Sequence, residues 1–238
     1  MALRNGNLVL LYLYKGVWTL TEGGSGTYKL RVKNEETTDL TIGTSDAAAI
    51  QAALLALTVF DTGDVVVTGV SSPYTITLGG DFACSGIEIE ISDAEATATI
   101  AIARSFPTTH ATISEANGFY QMGAEYNLDK TFDLEIQDVT NKNSSGWKES
   151  VAQVRSSTLS ASNFFMTEKH FSYVKEQWLN SNPVIICDVD PQEDTGVQNQ
   201  NYGVYNITSL QETSNQNAVV EFSASFELTG AITEVFAT

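Results

Sequence analysis

The sequence is short of positive charge. Twelve Lys and Arg stand against 29 Asp and Glu, with two His, for a net charge of −17. Such a field repels nucleic acid and anionic membranes, and a phosphate-binding surface would need a basic patch that the sequence does not contain. Cysteine is scarce too. Cys84 and Cys187 lie far apart with no C-x-x-C, which argues against a disulfide-stapled secreted scaffold and for a reducing compartment. Only four prolines occur, so this is no Pro-rich linker. No apolar stretch approaches the length of a membrane span. The longest, residues 8–14, is flanked by Arg4 and Lys15 and lacks a small-residue cleavage site after it. It reads as a first strand rather than a signal peptide.

Catalytic signatures are missing as well. His110 and His170 have no partner at ligand spacing, and a zinc site would have to gather remote residues. There is no G-x-S-x-G, no Walker A and no G-x-G-x-x-G between a strand and a helix. The many carboxylates suit solvated faces better than a glycosidase pair. Residues 188–194, DVDPQED, lack the EF-hand template and hold Pro191 within the run, so they read as a solvated inter-strand loop. No metal, cofactor or catalytic residue is expected, and the chain reads as a non-enzyme. The sequons at Asn143 and Asn206 are short enough to arise by chance.

What is present is alternation. Tyr28, Leu30 and Val32 alternate with Lys29, Arg31 and Lys33, the period of a half-buried strand. Leu40 and Ile42 suggest a short strand. Thr44 or Ser45 is the expected N-cap of a helix with Asp46 in its first turn and Ala49 or Ile50, Ala53, Leu54 and Leu57 at helical spacing. Strands are expected at 64–70, 74–78, 87–91 and 97–103. Residues from about 19 to 117 thus form a small α+β unit, one helix against a sheet.

The pattern breaks around 114–123. A second set of strands begins at Leu128, with Phe132, Leu134 and Ile136 alternating with Asp133 and Glu135. A polar loop follows, and residues 151–165 look extended. Thr167 is a plausible N-cap for a second helix with Phe171, Val174, Trp178 and Leu179 on one stripe, stopped by Asn180-Ser181-Asn182-Pro183. Strands at 184–189, 202–210 and 218–229 close the chain. In the last, Val220, Phe222, Ala224, Phe226 and Leu228 face one way and Glu221, Ser223, Ser225 and Glu227 the other, as in an antiparallel sandwich.

The order of the second half is familiar. The opening Asn5-Gly6-Asn7-Leu8-Val9-Leu10-Leu11-Tyr12 resembles the first strand of the major tail (tail tube) proteins of long-tailed bacteriophages. So do the strand from Lys130 and its loop Asp138-Val139-Thr140-Asn141-Lys142-Asn143-Ser144-Ser145-Gly146-Trp147-Lys148-Glu149. One helix, an Asn-Pro stop and strands ending in Phe226-Glu227-Leu228-Thr229-Gly230-Ala231-Ile232 follow in the same order. The likeness covers residues 1–18 and 119–238.

That resemblance implies a mainly β fold: a tail-tube-type β-sandwich or barrel with one flanking helix. Residues 19–118 would be an inserted α+β outer domain. It implies a virion component made in the host bacterial cytoplasm, forming stacked, hexameric rings that conduct DNA without binding it. Tape measure, terminator and baseplate proteins would be further partners; no membrane is involved. Asp138, Thr140, Asn141, Lys142, Ser145, Gly146, Trp147, Lys148 and Glu149 would form an arm to a neighbouring subunit. Glu221 and Glu227 are candidates for the lumen face. The alternative from a different class is a decoration, minor tail or host-surface binding protein.

Overall fold

A computed structural model describes residues 10–109, 111–122, 127–138, 150–164, 168–191, 198–213 and 221–235. It is mainly β. In chain order come β1 (Leu10–Tyr14), β2 (Val17–Gly24), β3 (Thr27–Val32), β4 (Glu35–Glu36), β5 (Leu40–Thr41) and α1 (Ala47–Leu55). Then follow β6 (Val65–Thr68), β7 (Tyr74–Leu78), β8 (Ile89–Ala94), β9 (Ala98–Arg104), β10 (Phe119–Gln121) and β11 (Asn127–Asp138). The chain continues through β12 (Ser150–Phe164), α2 (Glu168–Leu179), β13 (Val184–Pro191), β14 (Gln198–Thr213), β15 (Glu221–Leu228) and β16 (Thr233–Val235).

These strands form three antiparallel sheets. Eight strands run in the order β10-β1-β13-β14-β15-β12-β11, with β16 also on β14. Four run β6-β7-β2-β9, and a third sheet holds β4-β3-β5 with β8 on β3. The alternation anticipated at 28–32 is realised: Tyr28, Leu30 and Val32 are all buried. They share a hydrophobic cluster with Trp18, Leu20, Ile76 and, from α1, Ile50 and Leu54. A nine-residue helix is too short to stand alone in water; this packing holds it. Its cap differs from the expectation. Asp46 is the N-cap, its carboxylate accepting the Ala49 N–H at 2.9 Å, while Ser45 Oγ accepts from Thr41 N instead. Asp46 sits three residues before Ala49, the spacing that lets a side chain reach the N3 amide.

The eight-stranded sheet curls around a second cluster of Leu11, Leu13, Leu159, Val184, Ile186, Phe222, Ala224 and Phe226. Tyr14, Phe119, Ile185, Cys187 and Tyr202 form a third on the other side of β1 and β13. Among residues 114–123, where the sequence pattern breaks, three residues still pair with β1 as β10. Helix α2 departs from its expected stripe. Val174 and Gln177 are buried, while Trp178 is 44% and Leu179 66% exposed. Its end follows the Asn-Ser-Asn-Pro signal: Ser181 is left-handed at φ 53°, and the Asn182 N–H reaches back to Gln177 O at 2.9 Å, a Schellman closure.

The segment after β7 crosses from the first cluster to the second. Gly16 N donates to Ala83 O, Ile185 N to Cys84 O and Gly86 N to Pro183 O, at 2.7–2.9 Å. The Cys84 N–H donates to Tyr173 Oη at 2.8 Å, and Gln177 Nε2 donates to Asp81 O at 2.7 Å. Cys84 thereby joins the cluster of the eight-stranded sheet. Two glycines permit the approach. A Cβ on Gly86 would lie 2.6 Å from Val204 Cγ1, and one on Gly16 would lie 2.9 Å from the Trp18 ring.

Candidate assembly surface

β11 and β12 pair along their length, from Asn127↔Ser162 to Asp138↔Ser150, with a register shift between Leu134 and Ile136. β12 meets β15 only from Thr158 to Phe164. Residues 150–157 therefore have β11 as their only partner strand among the described residues, and with it form a two-stranded ribbon. Isolated two-stranded ribbons are marginally stable in water. β11 is also the edge of the sheet, where unpaired backbone groups can template another strand.

The ribbon is apolar where it should not be if it stood alone. Phe132, Leu134 and Ile136 recur with period 2 and are 63%, 45% and 60% exposed. The sequence anticipates the strand, but nothing among the described residues covers this side. Lys130 lies over the Phe132 ring, 4.9 Å from its centroid. Clustered apolar side chains left in water mark interaction sites more often than lone ones do.

Of the anticipated arm, Asp138 ends β11, exposed and opposite Ser150. Thr140, Asn141, Lys142, Ser145, Gly146, Trp147, Lys148 and Glu149 lie outside the described residues. Glu221 and Glu227 are exposed on β15, opposite in direction to buried Phe222, Ala224 and Phe226. Glu227 faces Thr158 on β12 and Asn206 on β14. Ser160 and Ser225 are also opposed, with hydroxyls 3.5 Å apart. Glu221 faces Thr213 on β14.

Asp188 lies in β13, within the strand expected at 184–189, and not in the solvated loop also read at 188–194; it is buried and ion-paired with Lys130. The reason is tertiary: the curl of the sheet brings β11 over β13, which local sequence does not reveal. At the crossing of the two main clusters lies a cavity of about 600 Å3 lined by Lys15, Asp81, Cys84, Tyr120, Tyr173 and Glu176. Burial pushes the Cys84 thiol and the Tyr173 hydroxyl up, so both stay protonated near neutrality. Among the described residues no three His, Cys, Asp or Glu are placed to hold a metal ion, and no helix is long and apolar enough to cross a membrane.

Fold and surface together define a structural β protein whose main sheet ends in an uncovered apolar ribbon. Residues 113–234 match the phage tail tube protein family. The chain belongs to that family and is a structural subunit of a phage tail tube. No curated protein matches it. Among solved structures it is similar to a chain from the tail of an empty GTA particle obtained by helical refinement with C6 symmetry. The identity is 18% over 54% of this chain and 92% of that one, with a TM-score of 0.42. It is also similar to a chain from the virion of a native gene transfer agent (GTA) particle, at 19% identity over 50% and 89%, with a TM-score of 0.40.

Proposed function

We propose that copies of this chain join through the β11–β12 ribbon into closed rings, six to a ring as the family resemblance implies, and that rings stack into the DNA conduit. The observation that carries the reading is the uncovered stripe of Phe132, Leu134 and Ile136 on a sheet edge. A ribbon that meets a different surface of the next copy makes a head-to-tail contact, and such contacts close into rings or run on as filaments. The polar segment 138–149, which follows β11 in the sequence, would serve as the arm to the next copy, and it includes Trp147, a residue type enriched at interfaces.

Two further features fit this arrangement. Among the described residues no Lys or Arg forms an ion pair with Glu221 or Glu227, which suits a lumen wall that phosphates slide past. Residues 19–118, which supply every member of the first hydrophobic cluster except Trp18, form the inserted outer module, since the lumen must stay open. Tape measure, terminator and baseplate components are the expected tail partners, and synthesis takes place in the host cytoplasm.

Negative-stain microscopy of the purified chain tests the proposal. Wild type is expected to give rings or tubes with a central hole. Replacing Phe132, Leu134 and Ile136 together by Ser should leave the subunit folded, because exposed side chains away from special features shift stability by only about 0.5 kcal/mol each. It should also leave that subunit monomeric. Uniform monomers from concentrated wild type, or unchanged tubes from the triple variant, would sink it.

A further inference from the structure

Four ion pairs form among the described residues, and three of them join residues between 29 and 104. The fourth, Lys130 to Asp188, is of another kind. β11 and β13 are separated in the sheet by β14, β15 and β12. The pair is therefore no cross-strand neighbour contact. It ties the edge strand back across the curl of the sheet.

The pair is also buried. The Asp188 side chain is 3% exposed and that of Lys130 19%. Asp188 Oδ1 has no hydrogen-bond partner among the described residues. A buried pair with an unsatisfied oxygen is a poor source of net stability, because desolvation offsets most of the attraction; where such pairs have a use, it is in selecting one arrangement. The position of this one suits that use. From residue 131 to residue 138 every side chain of β11 is exposed. Lys130 is the last half-buried side chain of β11 before the exposed run 131–138, and it lies over the ring of Phe132, the first residue of the apolar stripe.

We propose that the Lys130–Asp188 pair fixes the angle at which the β11–β12 ribbon leaves the body, and so acts as a positioning pair for the joining of one copy to the next. The part concerning assembly rests on the ribbon being the joining surface. A ring closes only if each contact repeats the same rotation, so a ribbon free to sample several angles is a poor connector even when its apolar stripe is intact.

The test uses the full chain with Lys130→Met and with Lys130→Met/Asp188→Leu. The single change strands a buried carboxylate and is expected to lower the melting temperature. The double change removes both charges, as apolar replacements of buried pairs usually allow, and is expected to melt at or above wild type. Tube growth, followed by light scattering and microscopy, is nevertheless expected to fall about tenfold or more in the double variant, in line with the strong orientational demand on docking rates. Spin labels at Glu135→Cys and Glu212→Cys should give a narrow distance distribution in the wild-type monomer and a broadened one in the double variant. A double variant with wild-type growth, tube diameter and distance distribution overturns the inference while the tube reading stands. If wild type forms no tubes, the joining-surface reading falls, and the label distances alone decide whether the pair holds the ribbon.

Discussion

At the scale of single residues, the chain keeps acidic hydrogens where water does not reach. Burial pushes the Cys187 thiol from its ordinary 9.0 up to about 12. Tyr202 is raised above 10.0 by burial and by neighbouring Cys187. Tyr28 is raised by burial and by its hydrogen bond to Glu22. Each group stays neutral in the folded chain at a pH where the unfolded chain would release its proton. Their contribution to stability is therefore whole below pH about 9 and is lost as pH climbs toward the folded values. The melting temperature is expected to hold between pH 7 and about 8.5 and to fall steadily above about 9. Calorimetry across that range checks it, and a midpoint that does not move up to pH 11 would contradict the assignment.

At the scale of elements, helix α2 shows how a terminus can be improved. Ser181 takes the left-handed position that closes the helix, a conformation that disfavours any residue with a Cβ. Ser181→Gly is expected to stabilise the chain by about 1 kcal/mol, raising the melting temperature by about 2–4 °C for a chain of this size. A fall in that temperature would show that the serine hydroxyl matters more than the backbone. The stop itself was readable from Asn180-Ser181-Asn182-Pro183, and so were the strands at 28–32, 74–78 and 222–228, where one apolar face meets one polar face. The face that α2 buries was readable only in part: Val174 of the expected stripe is buried. Its apolar residues suggested Trp178 and Leu179, yet the helix turns Gln177 inward because the Asp81 carbonyl waits there for a donor. β10 was hidden because three residues are too few to show a period. The ribbon was legible as a strand, but periodicity says which side is apolar and not what covers it. The Lys130–Asp188 pair lies beyond any local pattern, since 58 positions separate its members.

At the scale of the whole molecule, the segment after β7 is the point of interest. If residues 19–118 are the inserted module proposed above, they are expected to meet their host at the two chain crossings. Here residues 81–86 add a third attachment. Cys84 fills the core of the eight-stranded sheet, and the backbone there bonds to β13 and to side chains of α2. Excising residues 23–115 and joining the ends would remove that plug along with the module. It would leave the Gln177 amide without its Asp81 acceptor and the Tyr173 hydroxyl without the Cys84 amide. The expected outcome is a body that melts well below the full chain and is cut by protease near α2. An excised chain as stable and as resistant as the full one would show that the third attachment is dispensable.

That third attachment also bears on inheritance. A segment hung on two ends can be exchanged between lineages as a cassette, since any hairpin tip will receive it. One that also seats a cysteine in its host's core and needs Gly86 to pass Val204 and Pro183 cannot be moved by recombination alone. On the proposed division of the chain, its loss or gain is expected to come with matching changes in α2 and β13, and the proposed module and body are expected to share one line of descent.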